Sequence, residues 1–251
     1  MTFLDDVEKI SDAVTVEDVW DVLVTRLGEY GFDRLIYGFT RFKTARGFGD
    51  PQDLLILSNH EARYTDRFVG EAMYFNAPMV RWSTENVGAC SWSWLQNNVD
   101  VLTSSELKVL NFNRSMGIVA GYTISFPHST HRSRGAIALT ARAGLSQLQV
   151  DEIWTHAGRN IYALCNVAHL KFMSLPHNGS RRALTKRQRE VLEWVGDGKT
   201  TQDIATIIGL TPATVEKHLR LAREALEVET TAQAVMKASL KNQIFLIETT
   251  S

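Results

Sequence analysis

Two cysteines, five prolines and no unbroken apolar run of membrane-spanning length are the first limits this 251-residue chain sets. Cys90 and Cys165 lie far apart, and no Cys-x2-Cys or Cys/His spacing surrounds them, so neither a metal site nor a disulfide framework is expected. Reduced, buried thiols suit a cytoplasmic protein. Without a run of about eighteen apolar residues, no membrane span is expected. The opening MTFLDDVEKI is acidic and lacks the apolar centre of a secretory signal. Also missing are the G-x-S-x-G, H-E-x-x-H, P-loop and Rossmann glycine patterns. Cys90 beside Ser91, with His60 upstream, is the one notional nucleophile and base. A lone cysteine in an apolar, tryptophan-rich stretch is ordinarily inert. The expectation is therefore no enzyme, no catalytic residue, no metal and no cofactor.

Net charge is nearly absent too: 27 Lys and Arg against 28 Asp and Glu give −1. Its distribution is uneven. Residues 1–176 carry 16 basic and 19 acidic side chains; residues 177–251 carry 11 and 9. Between Arg181 and Arg223 the balance reaches +4, nine basic against five acidic. A basic module on a mildly acidic body points to a polyanion partner for that module alone, with a solvated charged surface as the plain alternative.

The clearest break in pattern is SLPHNGSRR at residues 174–182, where Pro176, Asn178, Gly179 and Ser180 cluster. It is taken as a linker between a domain at 1–173 and one at 183–251. Before it, helical and strand periods mix. Thr15 caps a helix with Asp18 closing the box, and Val16, Val19, Trp20, Leu23 and Leu27 follow at helical spacing up to Gly31. Residues 32–42, FDRLIYGFTRF, read as a strand. His60–Met73 reads as a short amphipathic helix and Ser104–Ser115 as another, stopped by Gly117. Tyr122–Phe126 and Gly135–Ala141 read as strands joined by the polar turn HSTHRSR. Ser146, with Gln149 and a Leu145–Val150 staple, opens a long helix that continues to about Leu170. Helices flanking a sheet on both sides make the fold class α+β, with an α/β/α sandwich in front.

Residues 184–235 hold a more specific pattern. A first helix runs from about Lys186 to Val195 and stops at Gly196–Gly198. Thr200 caps a second, with Asp203 closing its box, and Ile204, Ala205 and Ile208 face inward. Gly209 turns the chain, since glycine tolerates positive φ. Thr211 then caps a third helix with Pro212 at its first position, where a missing N–H is harmless. Val215, Leu219 and Ala222 point inward. Glu216, Lys217, His218, Arg220 and Arg223 face out or sideways. Two short helices joined through one glycine, the second with a basic outer side, form a helix-turn-helix. Such a helix fits the major groove of double-stranded DNA, and its cations neutralise phosphates. The candidate contacts are Thr200 and Thr201 at the second helix, Thr211, Thr214 and Val215 at the start of the third, and Lys217, His218, Arg220 and Arg223 along it. His218 either reads bases or packs. Arg220 and Arg223 touch phosphate or sit in solvated ion pairs. Val215 also serves the core.

The segment resembles the DNA-binding domain of the LuxR family. The resemblance is carried by Leu184-Thr185, Arg189-Glu190-Val191-Leu192, Trp194-Val195, Gly198-Lys199, Ile204-Ala205, Ile208-Gly209-Leu210, Thr214-Val215, Lys217-His218-Leu219, Leu226, Val228 and Gln233-Ala234-Val235. It implies a four-helix domain, a third helix in the groove and a fourth, from near Thr231, that often serves dimer contact. Glu227 stands where the family usually has glycine.

Residues 1–172 resemble the autoinducer-binding domain of quorum-sensing LuxR regulators. The family's aromatic strip, Trp-x3-Tyr, then Asp-Pro, then another Trp, is matched by Tyr64-x3-Phe68, Ala77-Pro78 and Trp92, with Trp82 and Trp94 as other candidates for the last. Gly117 and Gly121 match glycines before the later strands. A phosphorylated receiver domain is not expected, because the chain opens with helical patterns and the acidic pair Asp5-Asp6 precedes any strand. The resemblance implies a small-molecule signal, an N-acyl homoserine lactone or a related amphiphile, and a homodimer. Three departures bear on it. Tyr64 replaces an indole donor, Phe68 loses a hydroxyl, and Ala77 replaces the Asp that accepts the ligand's amide N–H. Asn76, one residue out of register, is a possible substitute. The missing acceptor leaves three readings: another residue supplies it, the ligand differs, or none binds. A ligand-independent regulator and a family-derived anti-activator acting by heterodimerisation stand as alternatives. His60, Tyr64 and Phe68 recur at i, i+4 and i+8 on one helix face, and with Trp92 they form the candidate ligand set. Packing of the aromatics on the sheet is the plain alternative.

Overall fold

The computed structural model describes residues 2–44, 48, 51–128, 130–176 and 183–245. The chain divides into two compact units, Met1–Met173 and Ser174–Ser251. Residues 177–182 of the expected linker lie outside the described residues.

In the first unit, α1 (Phe3–Asp12) and α2 (Val16–Glu29) each open on a reciprocal threonine–aspartate box, Thr2 with Asp5 and Thr15 with Asp18. Among the described residues five antiparallel strands follow: β1 (Phe32–Thr40), β2 (Leu55–Ser58), β3 (Gly88–Ser91), β4 (Gly121–Ser125) and β5 (Arg134–Ala141). Their order is β2-β1-β5-β4-β3. The short helices α3 (Ala62–Thr65), α4 (Pro78–Glu85) and α5 (Ser93–Asn97) lie between β2 and β4, followed by α6 (Ser104–Ser115), and the unit ends on the long α7 (Gln147–Ser174). Among the described residues no helix is long and apolar enough to cross a membrane.

The sheet has two unlike faces, and period-two alternation assigns them. On one face Tyr37, Phe39, Tyr122 and Phe126 meet α7. Tyr37 and Phe126 lie against His169, Tyr37 packs on Phe172, and Tyr122 stacks on Trp154 with 3.9 Å between ring centres. The Tyr37 hydroxyl and His169 Nδ1 are 2.8 Å apart. The other face carries Ile36, Gly38, Thr123, Ala136, Ala138 and Thr140. Ala138 sits between Ile36 and Thr123, and Thr140 opposite Gly121. Small side chains on that face leave room between sheet and helices.

The expected His60–Met73 helix is not one helix. After α3 a π turn spans Asp66–Gly70, with Glu71 N–H donating to Asp66 C=O, and Ala72 then takes a left-handed φ of 56°. The extra residue in the turn breaks the α-helical register, as π turns do. Strands β2 and β3 and helix α4 were not anticipated: each strand is 4 residues long, too short to establish an alternation, and α4, though it starts on Pro78, has only 8 residues.

Among the described residues of the second unit four helices pack around one core: α8 (Lys186–Gly196), α9 (Thr201–Ile208), α10 (Pro212–Leu226) and α11 (Thr231–Leu240). Val191, Leu192, Ile204, Val215, Leu219 and Ala234 are its buried centre. Threonine caps all four helices: Thr185, Thr200, Thr211 and Thr230. Each accepts a backbone N–H that a helix start otherwise leaves unpaired.

Candidate functional site

The room beside the small-residue sheet face is a cavity of about 320 Å³. His60, Tyr64, Phe68 and Trp92 all line it. The first three form a stack. His60 lies 4.6 Å from Tyr64 between ring centres, and Tyr64 lies 5.1 Å from Phe68 and 5.6 Å from Phe112. They do not share one helix: His60 precedes α3, Tyr64 lies on it and Phe68 lies in the π turn, and the rings are joined by stacking.

Burial governs their protonation. It pushes the Tyr64 phenol well above its ordinary pKa, so it stays a neutral hydroxyl, which donates to Asn113 Oδ1 at 3.2 Å. Burial, helped by the nearby Arg34 charge, lowers His60 to about 4, so the imidazole is neutral. His60 Nε2 is buried and has no hydrogen-bond partner.

Trp92 sits between β3 and α5. Its indole N–H donates to Thr123 Oγ1 at 2.9 Å. A Cβ on Gly121 would come within 3.0 Å of the Trp92 ring and 2.2 Å of the Leu139 carbonyl oxygen, so glycine is required for the ring to approach β4 this closely. Trp82 and Trp94 pack against the same apolar cluster, but Trp92 is the tryptophan among the described lining residues. Ala77 lines the cavity and is buried, at the start of α4. Asn76 is exposed and does not take its place. Cys90 is half-buried with its thiol pushed up to about 11, and Cys165 is fully buried; both are free.

Sequence reading missed several lining residues: Asn113, Thr123, Arg134 and Thr140. A signal for two of them was present. In GYTISF and GAIALT, large side chains alternate with Gly, Ala, Thr and Ser, and the small set faces the cavity.

In the second unit Gly209 caps α9 at φ 68°, and Thr211 starts α10 by accepting from Thr214 N–H at 3.2 Å. The Thr211 and Thr214 hydroxyls are 2.9 Å apart. Thr200 and Asp203 close their box as expected. Thr201 Oγ1 donates to Glu216 Oε1 at 2.8 Å, tying α9 to α10 across the turn. Lys217 and Arg220 are exposed on α10, and Arg220 pairs with Glu224. Thr200 and Thr211 are exposed; Thr201, Thr214 and His218 are half-buried.

Two of the expected DNA contacts sit otherwise. Val215 is completely buried. It anchors α10 to the core and has no edge to offer a base. Arg223 is half-buried and donates to Thr231 Oγ1 at 2.9 Å, joining α10 to α11. Glu227, at the family's glycine position, takes a left-handed φ of 55° and ends α10 as a glycine would.

Residues 15–172 match the family model described as the autoinducer binding domain, and residues 182–238 match the one described as bacterial regulatory proteins, luxR family. The chain is 30% identical over 209 residues to the quorum sensing-dependent transcriptional regulator RpaR of Rhodopseudomonas palustris, covering 80% of this chain and 81% of that protein. It is 26% identical over 195 residues to the transcriptional activator LuxR of Aliivibrio fischeri, covering 76% of each. Among solved structures, that of Escherichia coli SdiA superposes with a TM-score of 0.54 at 15% identity, over 97% of this chain and 98% of that one, a likeness of fold.

Proposed function

This chain belongs to the LuxR family of bacterial regulatory proteins and is a transcription regulator of the quorum-sensing type, and from that premise we propose which groups hold its signal and meet its DNA. The signal is a small acylated amphiphile, an N-acyl homoserine lactone or a relative of one, held in the N-terminal cavity. His60, Tyr64, Phe68 and Trp92 form its walls. The observation that carries this reading is their convergence on one partly open, mainly apolar cavity of about 320 Å³, a size and character typical of small-molecule sites.

The DNA face is the exposed side of α10 with the threonines at the starts of α9 and α10. Lys217 and Arg220 meet phosphates, Thr200 and Thr211 meet the backbone through hydroxyl and helix N-terminus, and His218 and Thr214 lie nearest the bases. The chain acts in the cytoplasm as a binding protein and as a homodimer on a two-fold site, since two identical reading helices call for one. Signal binding stabilises the folded form by mass action.

The test is thermal melting and gel filtration of the full chain with acylated lactones of graded chain length, amide-linked and ester-linked alike. A saturable rise in Tm supports the reading. No response to any of them overturns the assignment of the cavity.

A further inference from the structure

Helix α10 opens with PATVEKH, and Glu216 is its only acid before Glu224. Glu216 is exposed. Among the described residues it joins no ion pair, since Arg220, four residues on, pairs with Glu224. Residues four apart share a side of a helix, so Glu216 and Arg220 are neighbours there. Val215, the residue before Glu216, is turned into the core. A carboxylate on a surface that meets phosphates is repelled by them, and it lowers affinity for every duplex alike. Any compensation must come from a base edge.

The side chain is also held in place. Thr201, at the start of α9, donates its hydroxyl proton to Glu216 Oε1 at 2.8 Å and leaves Oε2 with no described partner. That proton is the one a phosphate oxygen would need, so Thr201 is spent on Glu216. A side chain ordered before binding loses less freedom when it is used. In the major groove a carboxylate finds donors only at amino groups, cytosine N4 and adenine N6. Adenine sets the acceptor N7 beside its N6, which repels a carboxylate; cytosine presents its amino group alone.

Resting on the DNA reading above, we propose that Glu216 is a specificity-determining contact of α10. Its free carboxylate oxygen accepts from N4 of a cytosine, and Thr201 is a positioning residue for it and no phosphate contact. Glu216 thus gives up general affinity for discrimination at one base pair.

The test is selection of duplexes from a randomised pool by the full chain, with and without N-octanoyl homoserine lactone, followed by titration of single-pair variants of the selected site. Glu216→Ala should cost at least about fivefold of the discrimination at one C·G pair, the low end of a base contact. The same variant should bind a scrambled duplex as tightly as the unaltered chain or tighter, because a repelled charge is gone. Glu216→Gln should shift that pair toward A·T, since an amide both accepts from adenine N6 and donates to N7. Thr201→Val should reduce discrimination at the same pair two- to threefold, on the order of one weakened hydrogen bond, and leave scrambled duplex unaffected; Thr201→Ser, which keeps the hydroxyl, should restore it. An unchanged selected site in both Glu216 variants overturns the inference and leaves the DNA face standing. So does a change confined to an A·T pair, or a Thr201→Val variant that weakens all duplexes equally. If the unaltered chain enriches no sequence, the DNA reading falls and this inference with it.

Discussion

The two units are organised by opposite means. The C-terminal unit is built from near neighbours in sequence: a threonine starts each helix, Gly209 turns the chain, and a compact core with Val215 and Leu219 at its centre fixes α10. The N-terminal unit gathers its cavity from β1, β4, β5, α3, α6 and the segment before α5, spread across more than a hundred residues. One unit fills its interior. The other keeps part of it open by placing Gly, Ala and Thr where large residues would fit. A surface that reads DNA needs a rigid helix; a sensor needs an interior that a ligand can complete.

The largest expected effect strikes the open interior. Gly121→Ala forces a methyl against the Leu139 carbonyl and Trp92, and should destabilise the N-terminal unit by about 3 kcal/mol. Hydrogen exchange should show the loss in β4 and β5 and leave α8–α11 protected. Loss of protection spread equally over both units would erase the distinction between them.

On the other side, Lys217→Ala with Arg220→Ala should weaken binding to every duplex by roughly tenfold or more and reduce the salt slope by about 2, with the ligand response intact. Unchanged affinity in a salt titration removes these two residues from the DNA interface.

Acid should separate the units more gently. His60 and His169 are lowered to about 4, chiefly by burial with Arg34 or Arg41 adding. A depressed histidine pKa favours the native state above 6.5, and that stability drains away as pH falls from 6.5 toward 4. The N-terminal unit should therefore open first in that window, seen as earlier loss of amide protection. A C-terminal unit that opens first contradicts this order.

The smallest effect is local. Glu227 holds a left-handed conformation that penalises a side chain, so Glu227→Gly should stabilise the C-terminal unit by about 1 kcal/mol, measured by urea denaturation. A loss of stability would mean that the side chain compensates for its backbone.

How much of this was legible in advance follows the same division. Thr200, Gly209, Thr211 and Pro212 announce the helix-turn-helix because capping and positive φ are decided within four residues. The boxes at Thr15 and Ser146 were readable for the same reason. The aromatic spacing of His60, Tyr64 and Phe68 marked a face, but the π turn at Asp66–Gly70 did not show, since its bonds answer to the packing around it. Residues 88–91 gave no strand signal; they become β3 by pairing with β4.

The chain by itself determined helix starts, the turn at Gly209, the alternation in β4 and β5, and which outward positions of α10 carry charge, because each depends on contacts a few residues long. Tertiary structure decided that Val215 is enclosed, that Arg223 binds Thr231, and that Thr123, Thr140 and Asn113 share a wall with His60. Those outcomes depend on where distant segments stop one another, and sheet pairing with close packing settles that only when the whole unit has folded.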